Sequence, residues 1–388
     1  MNYGNQIKRN AWLDLFARTK NRMIIRYQYR ILEKFGNMPF QSWKAMGISR
    51  IARRLVGGYI YSIKLEVNDY CNLECKMCYV DKKKTDLPDK QIFRLLDQIR
   101  GEGIRLEILG GEPLMRANIL EIVRYAKEQA KVPFISLYTN GTGATRKMAQ
   151  GLRKAGLDAI LVTLVSHRQE VHEEFTGIPG SWQKTVDGIQ ELVRAGIATY
   201  SFTTVHSKNS TDCKDIYRYV KDELSAHSLF YQYIPQQKND PLMITPAQWQ
   251  RIKQWILLEQ NPEHARFVRD FYMISGNSCS GGNFVFTVKV DGSVQPCPFI
   301  NNMPLGSIYH TSIWKIFRHR FANSDLVTFK TTPRECRECA YASICGGGCK
   351  AGNDVHFGEY NCKDLRCLGP YSKVRDHQEV MVDIPTFF

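Results

Sequence analysis

Three cysteines within eight residues, Cys71-Asn-Leu-Glu-Cys75-Lys-Met-Cys78, constrain this chain more than any other stretch. They follow Ser62–Val67, where polar and apolar residues alternate as in a half-buried strand. Asp69-Tyr70 breaks that alternation, so the thiols fall in a loop at the strand's end. Three thiolates in one loop can hold three corners of a cubane iron–sulfur cluster and leave one iron without a protein ligand. An open metal position suits a catalytic centre, whereas a structural site is usually closed by four ligands. Zinc would want a fourth Cys or His close by, and none lies between Tyr79 and Asp158.

A second strand-like stretch, Leu106–Leu109, runs into Gly110-Gly111-Glu112-Pro113. Glycines let backbone approach a ligand closely, and a carboxylate suits an ammonium. A Cys-x3-Cys-x2-Cys loop followed one strand later by this motif resembles the radical S-adenosylmethionine (SAM) enzymes. The resemblance implies that Gly110, Gly111, Glu112 and Pro113 hold the SAM amino group. It also implies SAM contacts at Asn140, in Thr139-Asn140-Gly141, and at Thr163 and Ser166 near the next strand end. Many relatives carry an aromatic residue just before the third cysteine. Here Met77 stands there and Tyr79 follows Cys78, and both are assigned to the SAM pocket.

At 388 residues, 43% of them hydrophobic, the chain can bury a large core and a smaller second one. No run of 18 apolar residues appears, so no membrane span is expected. The first residues lack the apolar core of a signal peptide. Twelve cysteines without an export signal point to a reducing compartment and to metal rather than disulfides. The expected location is the cytoplasm, with peripheral contact at a membrane surface. The net charge is +15, and residues 1–60 carry twelve Lys or Arg against Asp14 and Glu33. Residues 10–36 read as a helix with Arg18, Arg22, Arg26 and Arg30 on one face, and a second short helix runs from Gln41 to Leu55. This arm (1–59) suits an anionic membrane or an acidic partner, or is a packed helix with a solvated face. Nucleic acid is disfavoured, because no recognised binding fold accompanies the charge.

Residues 60–238 alternate strands and helices. Strands are expected at Ser62–Val67, Leu106–Leu109, Phe134–Tyr138, Ala159–Leu164, Thr199–Val205 and Leu229–Ile234. Helices are expected at Asp89–Gly101, Ile119–Ala130, Ala144–Lys154, Ser181–Ala195 and Asp212–Leu224. Six βα units argue for an α/β fold with a parallel sheet. The resemblance makes that sheet a partial (β/α)6 barrel of TIM type, with its site at the strand C-termini. His167, His172 and Cys213 read as structural. A helical bridge is expected over 239–275, with Trp249, Ile252, Trp255, Ile256 and Leu258 on its apolar face.

Residues 276–372 form a second cysteine field. Cys279 and Cys297 are followed by Cys336-x2-Cys339-x5-Cys345-x3-Cys349 and then by Cys362 and Cys367. Asp291-Gly292 between Phe284–Val290 and Ser293–Pro296 is a hairpin signal. This order resembles the SPASM extension of radical SAM enzymes, a small α+β domain holding one or two auxiliary [4Fe–4S] clusters. The resemblance implies one cluster on Cys336, Cys339, Cys345 and Cys367. A second would use Cys279, Cys297 and Cys349; a further cysteine found in fully ligated relatives is missing here, and Cys362 supplies the fourth thiolate or that iron stays open. Zinc ribbons are the competing reading. The tail 373–388 lies outside the resemblance.

By resemblance, then, the chain is an oxidoreductase with a SAM-binding [4Fe–4S] cluster, fed electrons by a flavodoxin- or ferredoxin-type reductant. SAM cleavage gives a 5′-deoxyadenosyl radical that abstracts a substrate hydrogen atom. A ribosomal peptide or protein with acidic character ranks first as substrate, ahead of a lipid-linked molecule and of a carboxylated tetrapyrrole. An electron carrier or cluster scaffold is the non-enzymatic alternative.

Overall fold

Short β-rich runs separated by amphipathic helices give this chain its parallel sheet. The structure, a computed structural model, describes residue 18 and residues 60–255, 279–340 and 342–371. Apart from Arg18, the two expected N-terminal helices lie outside the described residues, as do positions 256–275 of the bridge and the tail 373–388. Six strands run in order: β1 (Ser62–Glu66), β2 (Arg105–Leu109), β3 (Ile135–Thr139), β4 (Ala159–Thr163), β5 (Ala198–Val205) and β6 (His227–Gln232). Each pairs with the next in parallel. All six lie within two residues of their expected bounds.

The connecting helices are α1 (Asp89–Gln98), α2 (Ile119–Arg124), α3 (Arg146–Ala155), α4 (Gln169–Thr176), α5 (Ser181–Arg194) and α6 (Cys213–Arg218). Local chemistry sets their ends. Thr145 caps α3 by accepting from the Met148 amide, and Gly156 stops it in the left-handed region. Helices α2 and α6 each run on into a wider π turn, at Tyr125–Gln129 and Tyr219–Glu223. Helix α4 has no counterpart in the sequence reading, because Arg168–Thr176 is polar and carries little periodic apolar signal. Helix α7 (Pro246–Gln254) is the described part of the bridge, opened by a Thr245–Gln248 capping box.

The sheet continues into the second cysteine field. Strand β7 (Val285–Val288) pairs with the free edge of β1 in parallel. Strands β8 (Ser293–Gln295) and β9 (Gly306–Ser307) add antiparallel, giving the order β6-β5-β4-β3-β2-β1-β7-β8-β9. The Asp291-Gly292 hairpin is thus present, with Gly292 at φ +75°. Helix α8 (Ile313–His319) anchors this region to the barrel: the buried Trp314 indole donates to Gln98 O at 2.8 Å. The Arg18 guanidinium sits 5.8 Å from the Trp314 ring centre. Two further short helices are α9 (Ser324–Lys330) and α10 (Ala342–Cys345), and α11 (Lys350–Phe357) follows.

Strand alternation divides the barrel into two faces. Ile63, Leu65, Leu106, Ile108, Leu137, Ile160 and Val162 are fully buried in the main core. Each such side chain contributes roughly 1.5–3 kcal/mol of burial. The alternate positions Lys64, Glu107, Tyr138, Phe202 and Tyr231 are only half-buried. The barrel interior is therefore open as a hollow around these five side chains, whereas Ser62, Glu66, Leu109, Ser136 and Leu161 on the same alternation are buried. Among the described residues no helix is long and apolar enough to cross a membrane.

Candidate active site

The ends of β1 and β2 cross at backbone contact. Gly111 N donates to Asn68 O and Glu112 N to Tyr70 O, both at 2.8 Å. A Cβ on Gly110 would lie 2.2 Å from Asn68 Oδ1, and one on Gly111 would lie 2.2 Å from Tyr70 O. Only glycine fits this crossing, which sets the base of the cysteine loop. Asn68 returns a hydrogen bond from Nδ2 to Glu112 O at 3.0 Å. Buried Arg116 braces the same base, donating to Val67 O and Leu87 O and pairing with Asp86 and Asp89. Asp69 accepts from the Thr85 amide and hydroxyl at 2.6 and 2.7 Å. Sequence reading missed Asn68, Asp69 and Arg116, because a lone polar residue in a loop carries no spacing signal.

Glu112 is buried and its carboxylate is engaged within the protein. Oε1 accepts from Thr139 Oγ1 at 2.6 Å and Leu114 N at 2.9 Å, and Oε2 accepts from Asn140 N at 2.7 Å. Burial pushes its pKa up against these hydrogen bonds. The carboxylate thus fastens β2 to the end of β3, and the strand-end backbone is left to face a ligand. Pro113 opens a short 3-10 turn behind it. Asn140 is similarly tied: Nδ2 reaches Cys71 Sγ at 3.7 Å and Asn72 Oδ1 at 2.9 Å, while Oδ1 accepts from Thr142 N at 2.9 Å.

Cys71, Cys75 and Cys78 lie within electrostatic range of one another. Burial pushes the Cys75 thiol up to about 12, with Cys71 and Cys78 adding to the shift. Leu73 N donates to Cys71 Sγ at 3.4 Å, the kind of amide donor that supports a thiolate ligand. The loop therefore fits an iron–sulfur cluster held by three thiolates. Met77 packs near Val165, Phe175 and Tyr233. Thr163 closes β4 and is half-buried. Ser166 is fully buried, with its hydroxyl accepting from Arg168 N at 3.1 Å. His172 and His206 are buried too, and burial brings each down to about 4. His172 Nδ1 accepts from Val165 N, and His206 stacks on Phe175 at 4.3 Å.

Tyr79 points elsewhere than expected from its neighbours in sequence. Its ring packs on Phe299 at 4.6 Å, and Lys289 Nζ lies 5.0 Å from its centre. Lys289 also pairs with buried Glu66 at 2.7 Å and donates to Pro298 O at 2.9 Å. Phe299 lies two residues after Cys297. This contact set therefore links the first cysteine loop, the end of β1 and the second cysteine field.

The second field forms two groups. Cys279, Cys297 and Cys349 act on one another electrostatically, and burial pushes the Cys297 thiol up to about 12. Cys336 groups with Cys339 and Cys367. Amides donate to sulfur here also, from Gly369 N to Cys367 at 3.3 Å and from Tyr371 N to Cys339 at 3.4 Å. The Lys350 ammonium feels both groups, through Cys279, Cys345, Cys362 and Cys336. Cys362 differs: its thiol donates to Glu359 O at 3.5 Å, and its charged neighbours are led by Glu359 and Glu335. Behind Cys349, the buried Arg366–Asp364 pair takes the Cys349 amide at 2.6 Å and reaches Tyr233 O beyond β6. Among the described residues no three His, Cys, Asp or Glu side chains converge closely enough for a single metal ion.

Comparison with known proteins agrees with this geometry. Residues 65–220 match the model of the Radical SAM superfamily, and residues 279–340 match that of an iron–sulfur cluster-binding domain, SPASM. The AdoMet-dependent heme synthase of Oleidesulfovibrio alaskensis is 26% identical, with 79% of this chain and 86% of that protein covered. The Fe-coproporphyrin III synthase of Methanosarcina barkeri is 23% identical over 76% of this chain and 85% of that protein. Among solved structures, Streptococcus suis SuiB bound to S-adenosylmethionine superimposes with a TM-score of 0.66 at 16% identity, covering 82% of this chain and 81% of that one.

Proposed function

Starting from a radical SAM enzyme with a C-terminal SPASM domain, which this chain is, we propose that it acts oxidatively on a tetrapyrrole bearing carboxylate side chains. The ranking by sequence alone put a ribosomal peptide first. Two features favour the tetrapyrrole. The relatives that match along most of the chain are named as heme and iron-coproporphyrin synthases. The observation that carries the reading is the hollow itself: it is lined by the stacked Phe202 and Tyr231 rings, 4.1 Å apart, and by the Lys64 cation. A flat aromatic macrocycle with acidic arms is complementary to such a lining.

The cluster and SAM together supply a carbon-centred radical able to take a hydrogen atom from an unactivated carbon. The residues of this chain supply position. Cys71, Cys75 and Cys78 would hold the cluster, and the Gly110–Pro113 strand end would meet the SAM amino group through backbone oxygens. Asn140, Thr163 and Met77 would border SAM around the loop, with Ser166 shaping the turn behind it and Tyr79 turned across onto Phe299. The hollow confines the target C–H and limits water. Cys336, Cys339, Cys345 and Cys367 would close one auxiliary cluster, and Cys279, Cys297 and Cys349 would hold the other.

The test is anaerobic turnover of the reconstituted full chain with SAM, a low-potential reductant and iron-coproporphyrin III. The expected result is 5′-deoxyadenosine formed together with loss of CO2 and two hydrogens per propionate. An unchanged tetrapyrrole, with an acidic peptide altered under the same conditions, would overturn the reading in favour of the peptide.

A further inference from the structure

The floor of the hollow carries an ion pair with no evident structural need. Lys64 Nζ and Ser62 Oγ each donate to Glu107 at 2.5 Å, to its two different oxygens. Tyr138 OH donates to the same carboxylate at 3.3 Å, and Lys64 Nζ lies 5.2 Å from the Tyr138 ring centre. Phe202 meets Tyr138 edge-on at 5.7 Å and stacks on Tyr231 on its other side. Burial works against the charge on both partners, yet Glu107 keeps the Lys64 ammonium above its ordinary pKa, and Lys64 keeps the Glu107 carboxyl below its own. Both stay charged although apolar residues of similar volume would often hold a core as well. Their side chains remain 21% and 20% exposed inside the barrel, so the pair faces open space.

We propose that Lys64 is the specificity-determining residue of this site, receiving a carboxylate of the substrate in competition with Glu107, its resident counter-charge. The proposal rests on the tetrapyrrole reading and extends it to a named contact. An ammonium has three donors, so one can stay on Glu107 while another meets an incoming carboxylate. Lys289, a second described cation beside the Tyr79 ring, is a poorer candidate. It is 12% exposed and already shared between Glu66, Pro298 O and the Tyr79 face. Lys64 also lies within electrostatic range of Cys297, which puts a docked carboxylate on the side of the second cysteine field. The Phe202–Tyr231 wall then takes the flat face of the macrocycle.

The two partners of the pair should respond with opposite sign. A carboxylate docked on Lys64 sits near Glu107, and like charges repel. Lys64→Met should therefore weaken binding of iron-coproporphyrin III by about tenfold or more, the size of one charge-assisted hydrogen bond. Glu107→Gln should tighten it. The probe is titrated into the anaerobically reconstituted full chain and followed by its visible absorption, alongside its uncharged tetramethyl ester. The ester should bind each variant as it binds wild type. The double variant Lys64→Met/Glu107→Gln leaves no lone buried charge and should reproduce the Lys64→Met loss. Parallel weakening by both single variants, for acid and ester alike, would make the pair purely structural and overturn the proposal. Wild-type affinity of Lys64→Met for the acid would do the same and leave the tetrapyrrole reading standing. Wild type binding neither acid nor ester would overturn both.

Discussion

Glu112→Gln separates two roles for one carboxylate. As a clamp, Glu112 receives donors from Leu114 N, Asn140 N and the Thr139 hydroxyl. Gln keeps the shape but turns one acceptor into a donor. With its NH2 at the Oε2 position, it would face Asn140 N–H, donor against donor. Turned over, its NH2 meets Thr139, whose hydroxyl can rotate, and only the Leu114 amide loses its partner. That second arrangement costs least: one buried N–H left without an acceptor is worth about 1–3 kcal/mol, and the loss of the charge adds a similar amount. A total of about 2–6 kcal/mol follows, or roughly 1–2 °C in unfolding temperature per kcal/mol for a body of this size. Thermal unfolding of the reconstituted protein, followed anaerobically, reads the stability. SAM binding by equilibrium dialysis reads the site. The clamp predicts a clear fall in stability whether or not SAM is present. An unfolding temperature equal to wild type, together with lost SAM binding, would show instead that the carboxylate is itself the ligand of the SAM amino group, and the clamp reasoning would be wrong.

Three further outcomes follow from the same contacts. Lys289→Met leaves Glu66 buried without its cation, at a cost of about 3–5 kcal/mol; adding Glu66→Gln should recover much of it, and simple additivity of the two in a double-mutant cycle would refute the link between the cysteine fields. His172 and His206 stay neutral when folded, so the unfolded chain binds more protons between the free histidine range near 6.5 and about 4, and stability falls as pH drops through that window. Each contributes on the order of 3 kcal/mol at most, and His172→Gln should flatten the dependence measured by urea unfolding from pH 7 to pH 5; an unchanged slope would place the effect elsewhere. Cys362→Ala should keep its full iron content after reconstitution, since its thiol donates to Glu359 O; loss of about four irons would make it a cluster ligand.

The barrel was legible because its signals are periodic and local. Six strand runs, a Cys-x3-Cys-x2-Cys loop and a Gly-Gly-Glu-Pro strand end each show within ten residues. The Asp291-Gly292 turn placed the β7–β8 hairpin for the same reason. What escaped depends on distance in sequence. Nothing in Val285–Val288 announces that it joins β1 and continues the barrel sheet. The Lys289–Glu66 pair spans 223 residues, and the Lys64–Glu107 pair joins two strands whose register only the fold sets. Glu112 was assigned to the ligand because a carboxylate suits an ammonium, yet the end of β3 supplies two donors to it and the Leu114 amide a third. Tyr79 was assigned to the SAM pocket by adjacency to Cys78, while its ring packs across on Phe299. Cys362 is a candidate ligand by spacing while its thiol donates to Glu359 O, and the iron count of Cys362→Ala decides between the two.

The most direct test of the account is the product of SAM in the reconstituted chain, measured with iron per polypeptide. With three cubanes, about twelve irons should bind, and a low-potential reductant should release 5′-deoxyadenosine from SAM in wild type but not in Cys71→Ala/Cys75→Ala/Cys78→Ala, which should keep about eight irons. A full iron complement with no 5′-deoxyadenosine, or equal 5′-deoxyadenosine from the triple variant, would contradict the assignment of radical chemistry to the first cysteine loop.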